Sequence, residues 1–335
     1  MKLPLVIGHR GARGIAPENS ISAFKKAVEL KIDGVELDVH LTKDGKLAVM
    51  HEMNLKKLAG IKTPIKNLTY DELAKYNIST LFIKNQEKVI KKIPDEKKLY
   101  LELKKGQTDT FFLNIFDQNT EKKNTFYLHK NGNQFDIVKK LIFSKDAGEK
   151  ISSAEIVIKK DELLNLDNGE IRKYPEEHVP LLSEVLEILK GKLFVNIEIK
   201  GGEKIYPGIT ERAVKETEVF GYDNVLFSSF DIDTLMQMKQ KYPELKINAL
   251  YPIILNVNKY VIGLDGANPF YFFVSKKLVS DMHKINKTVY VWTVNNVMDM
   301  IRFNLYGVDG VISDYPHILK KVSKTMKDVL KETIH

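Results

Sequence analysis

Short apolar runs rich in β-branched residues alternate with amphipathic stretches along most of the chain. Residues 5–7 form the first apolar run, and residues 19–28 follow with apolar positions at helical spacing. Asn19 is placed to cap this helix. Alternation of this kind is typical of a parallel α/β fold, in which helices cover the sheet.

Eight runs have the length and composition of buried strands. They span residues 5–7, 34–39, 47–51, 193–200, 225–228, 247–250, 289–292 and 310–313. Eight parallel strands close a barrel, so we predict an α/β fold of the (β/α)8 TIM-barrel type. The link between the second and third runs is too short for a helix, so an extended connection or a hairpin is expected there.

A long segment between the third and fourth predicted barrel strands departs from this alternation. Within it, residues 99–103 and 110–115 alternate apolar and polar positions, as half-buried strands do. We therefore predict a barrel domain formed by residues 1–77 and 179–335. Residues 78–178 are predicted to form a large β-rich inserted domain, for which the sequence indicates no role.

The composition narrows the possible classes of protein. Of the 335 residues, 43% are hydrophobic and 29% are charged, which is ordinary for a globular protein. The absence of cysteine excludes disulfides, thiolate metal sites and a cysteine nucleophile. No apolar run approaches the roughly 20 residues of a membrane-spanning helix. No signal peptide is visible, so a cytoplasmic location is expected, although a secreted chain whose signal had been removed would look the same.

The formal net charge of +8 raises the question of an anionic partner. The lysines are scattered along the chain, and no nucleic-acid-binding motif is present. We therefore expect a small anionic substrate and no nucleic acid. The sequence does not define an oligomeric state.

Residue types that carry out catalysis recur at the ends of the predicted strands, where TIM barrels hold their active sites. Glu36 and Asp38 are two positions apart on one strand, so both side chains project to the same side. Glu198 and Lys200 repeat this spacing. The remaining candidates at strand ends are His9, Arg10, His51 and Trp292.

These residue types together favour chemistry at a phosphodiester. Three neighbouring carboxylates repel one another unless a cation lies between them, and oxygen ligands suit Mg²⁺, Ca²⁺ or Mn²⁺. Two histidines beside the cation can exchange protons with the reacting oxygens. An arginine and a lysine can neutralise a phosphate. A metal that polarises the phosphoryl oxygens completes this hypothesis.

The same residues lie in motifs that resemble the glycerophosphodiester phosphodiesterase family, part of the PI-phospholipase-C-like superfamily. The motifs occur in the family's order and fall within residues 5–76 and 179–316. They are Gly-His-Arg-Gly at 8–11, Pro-Glu-Asn-Ser at 17–20, Glu-Leu-Asp at 36–38, Lys-Asp-Gly at 43–45, His-Glu at 51–52, Ile-Glu-Ile-Lys at 197–200, Ser-Ser-Phe-Asp at 228–231, Val-Trp-Thr-Val-Asn at 291–295 and the run at 307–314.

The resemblance implies an activity and a role for each candidate. The implied reaction releases sn-glycerol 3-phosphate and an alcohol and uses one divalent cation. Mg²⁺ and Ca²⁺ are the first candidates for this cation, and Mn²⁺ is the next. The implied roles are acid and base for His9 and His51, metal ligands for Glu36, Asp38 and Glu198, phosphate contacts for Arg10 and Lys200, and the glycerol side of the site for Trp292.

Glu18 is a further candidate for substrate binding. A carboxylate in the first turn of a helix also has a structural explanation, because it stabilises the helix dipole. Glu102 lies in a sequence that imitates the one around Glu198, and we assign it to the insertion because no barrel-like helix and strand follow it.

Three departures from the family pattern bear on the site. Ser20 replaces the usual threonine, Glu52 replaces the usual aspartate after the second histidine, and the long insertion is positioned to change which alcohols fit. Two alternatives therefore stay open. One is a lysophospholipase D or phosphoinositide-type phospholipase on the same barrel. The other is a catalytically inactive protein that binds a partner through the insertion.

Overall fold

A computed structural model describes residues 3–331 except 107–109, 132–133, 142–148, 222–223 and 252–260. The strands, in chain order, are β1 (Leu5–Gly8), β2 (Gly34–Leu41), β3 (Leu47–Val49), β4 (Glu96–Lys105), β5 (Thr110–Asp117), β6 (Lys122–Asn131), β7 (Gln134–Leu141), β8 (Glu149–Lys159), β9 (Phe194–Ile199), β10 (Val225–Ser229), β11 (Lys246–Tyr251), β12 (Gly266–Pro269), β13 (Thr288–Val291) and β14 (Gly310–Ser313). They form two sheets, one of them closed.

The α-helices of the described ranges are mostly short and cover the strands. They are α1 (Ile21–Glu29), α2 (Lys56–Ala59), α3 (Tyr70–Leu73), α4 (Ser79–Ile90), α5 (Lys160–Leu164), α6 (Leu182–Leu189), α7 (Gly202–Ile205), α8 (Ile209–Thr217), α9 (Ile232–Lys241), α10 (Lys276–Lys284), α11 (Val297–Tyr306) and α12 (Pro316–Lys331). Among these described helices, none is both long and apolar enough to cross a bilayer.

Eight parallel strands close a barrel, which confirms the predicted fold. In order, β1, β2, β9, β10, β11, β12, β13 and β14 each pair in parallel with the next, and β14 pairs with β1. Every position of β2 up to His40 is buried, because one face lines the barrel interior and the other meets the surrounding helices. The strands therefore direct their carboxyl ends to one mouth.

One predicted barrel strand was assigned wrongly. β3 pairs antiparallel with β2, because the five-residue turn between them reverses the chain, with Thr42 N donating to Lys46 O at 2.9 Å. The barrel strand that the prediction lacked is β12. Its Gly-Ala-Asn-Pro sequence does not have the β-branched pattern of a buried strand. A side chain at Gly266 would meet Thr288 Oγ1 at 2.2 Å, so packing selects glycine there. The insertion consequently lies between the second and third parallel strands.

The second sheet supports the prediction of a β-rich insertion. Its five strands pair antiparallel in the order β7-β6-β5-β4-β8. Leu99, Leu101 and Leu103 of β4 are buried in the same hydrophobic cluster as the barrel core. Lys321 on α12 donates to Val157 O at 2.6 Å, which joins this sheet to the last barrel helix. The exact boundaries at residues 78 and 178 stay a prediction.

Two local assignments differ from expectation. Ser20, rather than Asn19, is the N-cap of α1, and its Oγ accepts from Ala23 N at 3.1 Å. The segment predicted as a β-rich insertion also contains the helix α4, which the sequence pattern did not indicate. Its apolar residues recur at helical spacing, and Phe82 packs edge-on against Tyr174 from the end of the insertion.

Candidate active site

The end of β1 places His9 at the barrel mouth with a fixed orientation. His9 Nδ1 lies 2.6 Å from Asp314 Oδ1, at the end of the neighbouring strand β14. An aspartate acceptor at Nδ1 leaves Nε2 as the free nitrogen, and Nε2 lies 3.9 Å from Glu36 Oε2. Burial lowers the pKa of His9, although the bond to Asp314 opposes that shift. His9 is therefore suited to accept a proton at neutral pH.

Arg10 connects three acidic residues of the site. Its backbone N donates to Glu36 Oε2 at 3.0 Å, and its guanidinium Nη1 donates to Glu18 Oε1 at 2.8 Å. The guanidinium Nε lies 3.3 Å from Asp38 Oδ2. Glu18 also pairs with Arg13, at 2.6 Å. The structure therefore brings Glu18 next to Arg10, where it holds the guanidinium in place.

Three carboxylates from two adjacent strands meet at the mouth. Asp38 on β2 pairs in register with Glu198 on β9, and Glu36 is two residues before Asp38 on the same side. One oxygen from each of the three lies within 4.8 Å of the others. Lys200 Nζ bridges Asp38 Oδ1 at 2.8 Å and Glu198 Oε1 at 2.6 Å. The strand register alone explains why these residues converge.

The electrostatics of the trio favour a bound cation. Glu36, Asp38 and Glu198 are only 5%, 1% and 7% exposed. Burial and then the charge of Asp38 raise the pKa of Glu198 to about 7, and the same causes raise the pKa of Glu36. Burial raises the pKa of Asp38 too, but Lys200 and Arg10 together hold it well below its usual value. The two cations do not fully offset three carboxylates, so a further positive charge is favoured.

Donor chemistry around the trio also fits a divalent cation. Mg²⁺, Ca²⁺ and Mn²⁺ prefer oxygen ligands, and the trio supplies three carboxylates. Asn19 Nδ2 donates to Asp38 Oδ2 at 2.9 Å. Its amide oxygen is buried and lacks a hydrogen-bond partner within the described part of the chain. The residues present therefore fit a hard cation.

His51 reaches the mouth from the hairpin rather than from a barrel strand. It follows β3 by two residues, and its carbonyl oxygen lies 3.3 Å from the His40 ring. His51 Nδ1 lies 3.4 Å from Glu52 Oε1. Glu52, which replaces the usual aspartate in the sequence, therefore contacts the histidine. Burial lowers the pKa of His51.

Trp292 lies in an aromatic group at the end of β13. Its ring packs edge-on against Phe230 and Phe270, with centroid separations of 5.8 and 5.4 Å. Its indole Nε1 donates to Asn268 O at 2.6 Å. The indole is thus held by the strand β12 that the sequence pattern did not reveal.

Sequence reasoning gave too little weight to two residues that touch the site. Asp314 belongs to a recognised motif but was given no role, and Asn19 was interpreted mainly as a cap, with a role at the site as the alternative. The predicted barrel could have indicated that Asp314 lies near His9, because the last strand of a closed barrel lies beside the first. Asn295 Nδ2 in turn donates to Asp314 Oδ2 at 2.7 Å, which fixes the aspartate that orients His9.

The structure separates Glu102 from the site. Glu102 lies in the middle of β4 in the second sheet, and its neighbours are Lys104 and Asn114. Glu198, in contrast, is one of the three converging carboxylates. The assignment of Glu102 to the insertion is therefore supported.

Comparison with known proteins agrees with this geometry. A model of the glycerophosphoryl diester phosphodiesterase family matches residues 9–318. The chain belongs to that family. It is therefore an enzyme that hydrolyses phosphoric diesters, and the family resemblance drawn from the motifs is confirmed.

Relatives match the chain over nearly its whole length. A glycerophosphodiester phosphodiesterase of Caldanaerobacter subterraneus subsp. tengcongensis is 31% identical, covering 94% of this chain and 96% of the relative. One from Bacillus altitudinis is 25% identical, covering 96% and 99%. The fold is similar to a solved Oleispira antarctica phosphodiesterase in complex with the product sn-glycerol-3-phosphate, with a TM-score of 0.64, 19% identity, and coverage of 96% and 97%.

Proposed function

We propose that the enzyme hydrolyses glycerophosphodiesters to sn-glycerol 3-phosphate and an alcohol, assisted by one divalent cation. The observation that carries this proposal is the buried trio Glu36, Asp38 and Glu198, whose oxygens lie within 4.8 Å of one another beside two cationic side chains. These three carboxylates would hold Mg²⁺ or Ca²⁺, with Mn²⁺ as a third candidate. When bound, the cation polarises the phosphoryl oxygens.

Arg10 and Lys200 would contact the phosphate of the substrate. Both cations are mostly buried and are held by carboxylates of the trio, so their positions are fixed before a substrate binds. A guanidinium can make two parallel hydrogen bonds to phosphate, while an ammonium acts as a compact charge. Glu18 would act by positioning Arg10. The aromatic group around Trp292 would line the glycerol side.

His9 and His51 would be the acid–base pair. In the first step a hydroxyl of the glycerol attacks phosphorus, and one histidine takes its proton. The other histidine donates a proton to the leaving oxygen, the bond from phosphorus to that oxygen breaks, and the alcohol departs from a cyclic phosphate. Water then opens the ring with the two histidine roles reversed, which yields glycerol 3-phosphate and restores both protonation states. The orienting bond from His9 to Asp314 supports this use of His9.

Product release tests the proposed function directly. We expect the protein to release glycerol 3-phosphate from glycerophosphocholine and glycerophosphoethanolamine with Mg²⁺ or Ca²⁺ present, and not with EDTA. A coupled glycerol-3-phosphate dehydrogenase assay measures the release. The proposal fails when no glycerophosphodiester, whether of a polar or of an aliphatic alcohol, is cleaved with any of Mg²⁺, Ca²⁺ and Mn²⁺.

Substitution of the orienting aspartate has a distinct kinetic signature. We expect Asp314→Asn to lower kcat by about 100-fold with a much smaller change in KM, because the amide no longer fixes the Nδ1–H tautomer of His9. Asp314 opposes the burial shift, so its loss lowers the pKa of His9 further and moves the acidic limb of the kcat profile to lower pH. Steady-state kinetics across pH measure both effects.

Asp309→Asn is the matched control for this substitution. Asp309 pairs with His283 at 2.9 Å in a partly exposed aspartate–histidine pair outside the site. Its substitution should leave the pH profile unchanged. An unshifted profile for Asp314→Asn, or an equal shift for the control, would contradict the orienting role.

A further inference from the structure

The helix α4 presents one face to a cavity of about 570 Å³. The lining positions follow the spacing of one helical face, from the residue before α4 to its last turn. They are Ile78, Leu81, Phe82, Asn85, Gln86 and Val89. Four of these six are apolar, so the insertion supplies an apolar wall.

Residues of the active site line the same cavity. Arg10, Glu18, Asn19 and His51 all line it. The cavity is therefore continuous with the place where the phosphate would bind. A volume of about 570 Å³ falls within the ordinary range for small-molecule sites.

The apolar wall is fixed against the segment that carries His9 and Arg10. The buried Gln86 Nε2 donates to Gly14 O at 2.6 Å, four residues beyond Arg10. Phe82 packs edge-on against Tyr174 with a centroid separation of 5.5 Å, and the Tyr174 hydroxyl donates to Ile15 O. The distance from the wall to the reacting centre is thus set by direct contacts.

The lining residues also indicate which half of the substrate the cavity faces. His51 lines it, whereas His9 and the aromatic group of Trp292 are absent from the described lining residues. The glycerol is assigned to the Trp292 side, so the cavity lies toward the leaving alcohol. On this assignment His51 is the histidine nearer the leaving oxygen.

Charge pairing at the cavity argues against a preference for a cationic alcohol. Arg10 and Arg13 both pair with Glu18, and Lys57 pairs with Glu52. Asp314, the third carboxylate among the described lining residues, lies 3.7 Å from Arg13, so each of the three has a basic partner. Burial of an uncharged aliphatic group against the wall lowers the free energy of binding and leaves these ion pairs intact.

We propose that this cavity is the subsite for the leaving alcohol, and that it selects alcohols with an aliphatic chain over small polar ones. The proposal rests on the phosphodiesterase function proposed above and specifies its substrate class. The aliphatic chain could belong to a simple alkyl alcohol or to a monoacylglycerol, and both present the same chemistry to the wall.

The first test compares sn-glycerol 3-phosphate diesters of methanol, butanol, octanol and a monoacylglycerol. We expect kcat/KM for the octanol or the monoacylglycerol diester to exceed that for the methanol diester by about tenfold. Whichever of these two long-chain diesters has the higher kcat/KM shows whether the aliphatic chain belongs to a simple alkyl alcohol or to a monoacylglycerol. In Leu81→Ser this preference should fall to about twofold or less.

Ile83→Ser is the matched control for Leu81→Ser. Both are partly buried aliphatic residues of α4, but only Leu81 lines the cavity. The control should keep the wild-type preference for long chains. Equal loss in both variants, or no preference in the wild type, would overturn the subsite.

A second test needs no turnover and so separates this proposal from the proposed function. Calorimetric titration with octyl phosphate and methyl phosphate should give about tenfold tighter binding of octyl phosphate, reduced in Leu81→Ser and kept in Ile83→Ser. That result without any hydrolysis would retain the subsite and reject the phosphodiesterase function. Equal binding of the two phosphates together with hydrolysis of glycerophosphocholine would reject the subsite and retain the function.

Discussion

We expect Glu198→Gln to lower cation-dependent release of glycerol 3-phosphate by about 1,000-fold, and Glu102→Gln to leave it unchanged. The first substitution removes one of three buried carboxylates, and a metal contributes several kcal/mol to phosphoryl transfer. A loss of about 4 kcal/mol corresponds to that rate effect. Release from glycerophosphocholine at saturating Mg²⁺ or Ca²⁺ measures it.

Glu102 is an unusually close control because its local sequence matches that of Glu198. Leu101-Glu102-Leu103-Lys104 and Ile197-Glu198-Ile199-Lys200 have the same pattern of residue types. Their surroundings differ, since Glu102 lies in the second sheet. Equal activity of the two variants would contradict the assignment of the site.

Thermal unfolding compares cation binding by the wild type and the two variants without requiring catalysis. A cation at about 100 times its Kd stabilises the folded state by about 2.7 kcal/mol. We expect this to raise the Tm of the wild type and of Glu102→Gln by about 4 °C. In Glu198→Gln the rise should be largely lost, because one ligand is missing. A full rise in that variant would show that the cation binds elsewhere.

His9→Gln has the second large expected effect, a fall in kcat of about 100-fold to 10,000-fold. Glutamine retains hydrogen bonding but cannot accept the proton that the proposed first step transfers. Burial lowers the pKa of His9, so the wild-type imidazole stays neutral down to below its usual pKa and activity is lost as pH falls through that lowered value. The variant should lose this acidic limb.

His178→Gln serves as the control, because His178 is an exposed histidine in the segment that leads back into the barrel. Its kcat and pH profile should match those of the wild type. Retention of wild-type kcat by His9→Gln would exclude His9 from the proton transfers. Initial rates from pH 5 to pH 9 with glycerophosphocholine are sufficient for the comparison.

Strand assignment illustrates how far local pattern reaches. The apolar runs revealed seven of the eight barrel strands, because buried parallel strands are apolar on both faces. The pattern failed at β12, where Gly266 is selected by close contact with Thr288 rather than by hydrophobicity. It also failed at β3, which is apolar but runs antiparallel, since composition does not encode strand direction.

The functional site likewise combines features that the local sequence determines with features that depend on the tertiary structure. Glu36 and Asp38 are two residues apart, so both carboxylates project from the same side of the strand. This holds for any packing of the strand. The proximity of Glu198 depends on the pairing of β2 with β9, across an insertion whose length the local pattern does not constrain. The sequence placed Glu198 near this pair because its predicted strand ends at the same barrel mouth, and the structure shows that β2 and β9 are direct neighbours.

The sequence by itself determined the barrel class, the family and the residue types at the strand ends, because periodicity and motifs are properties of short segments. Only the tertiary structure decided that Asp314, 305 residues from His9, orients its imidazole, and that Asn19 faces Asp38 rather than capping a helix. It also decided that α4 forms a wall of the active-site cavity. These contacts join segments that are distant in sequence, and barrel closure and packing bring them together.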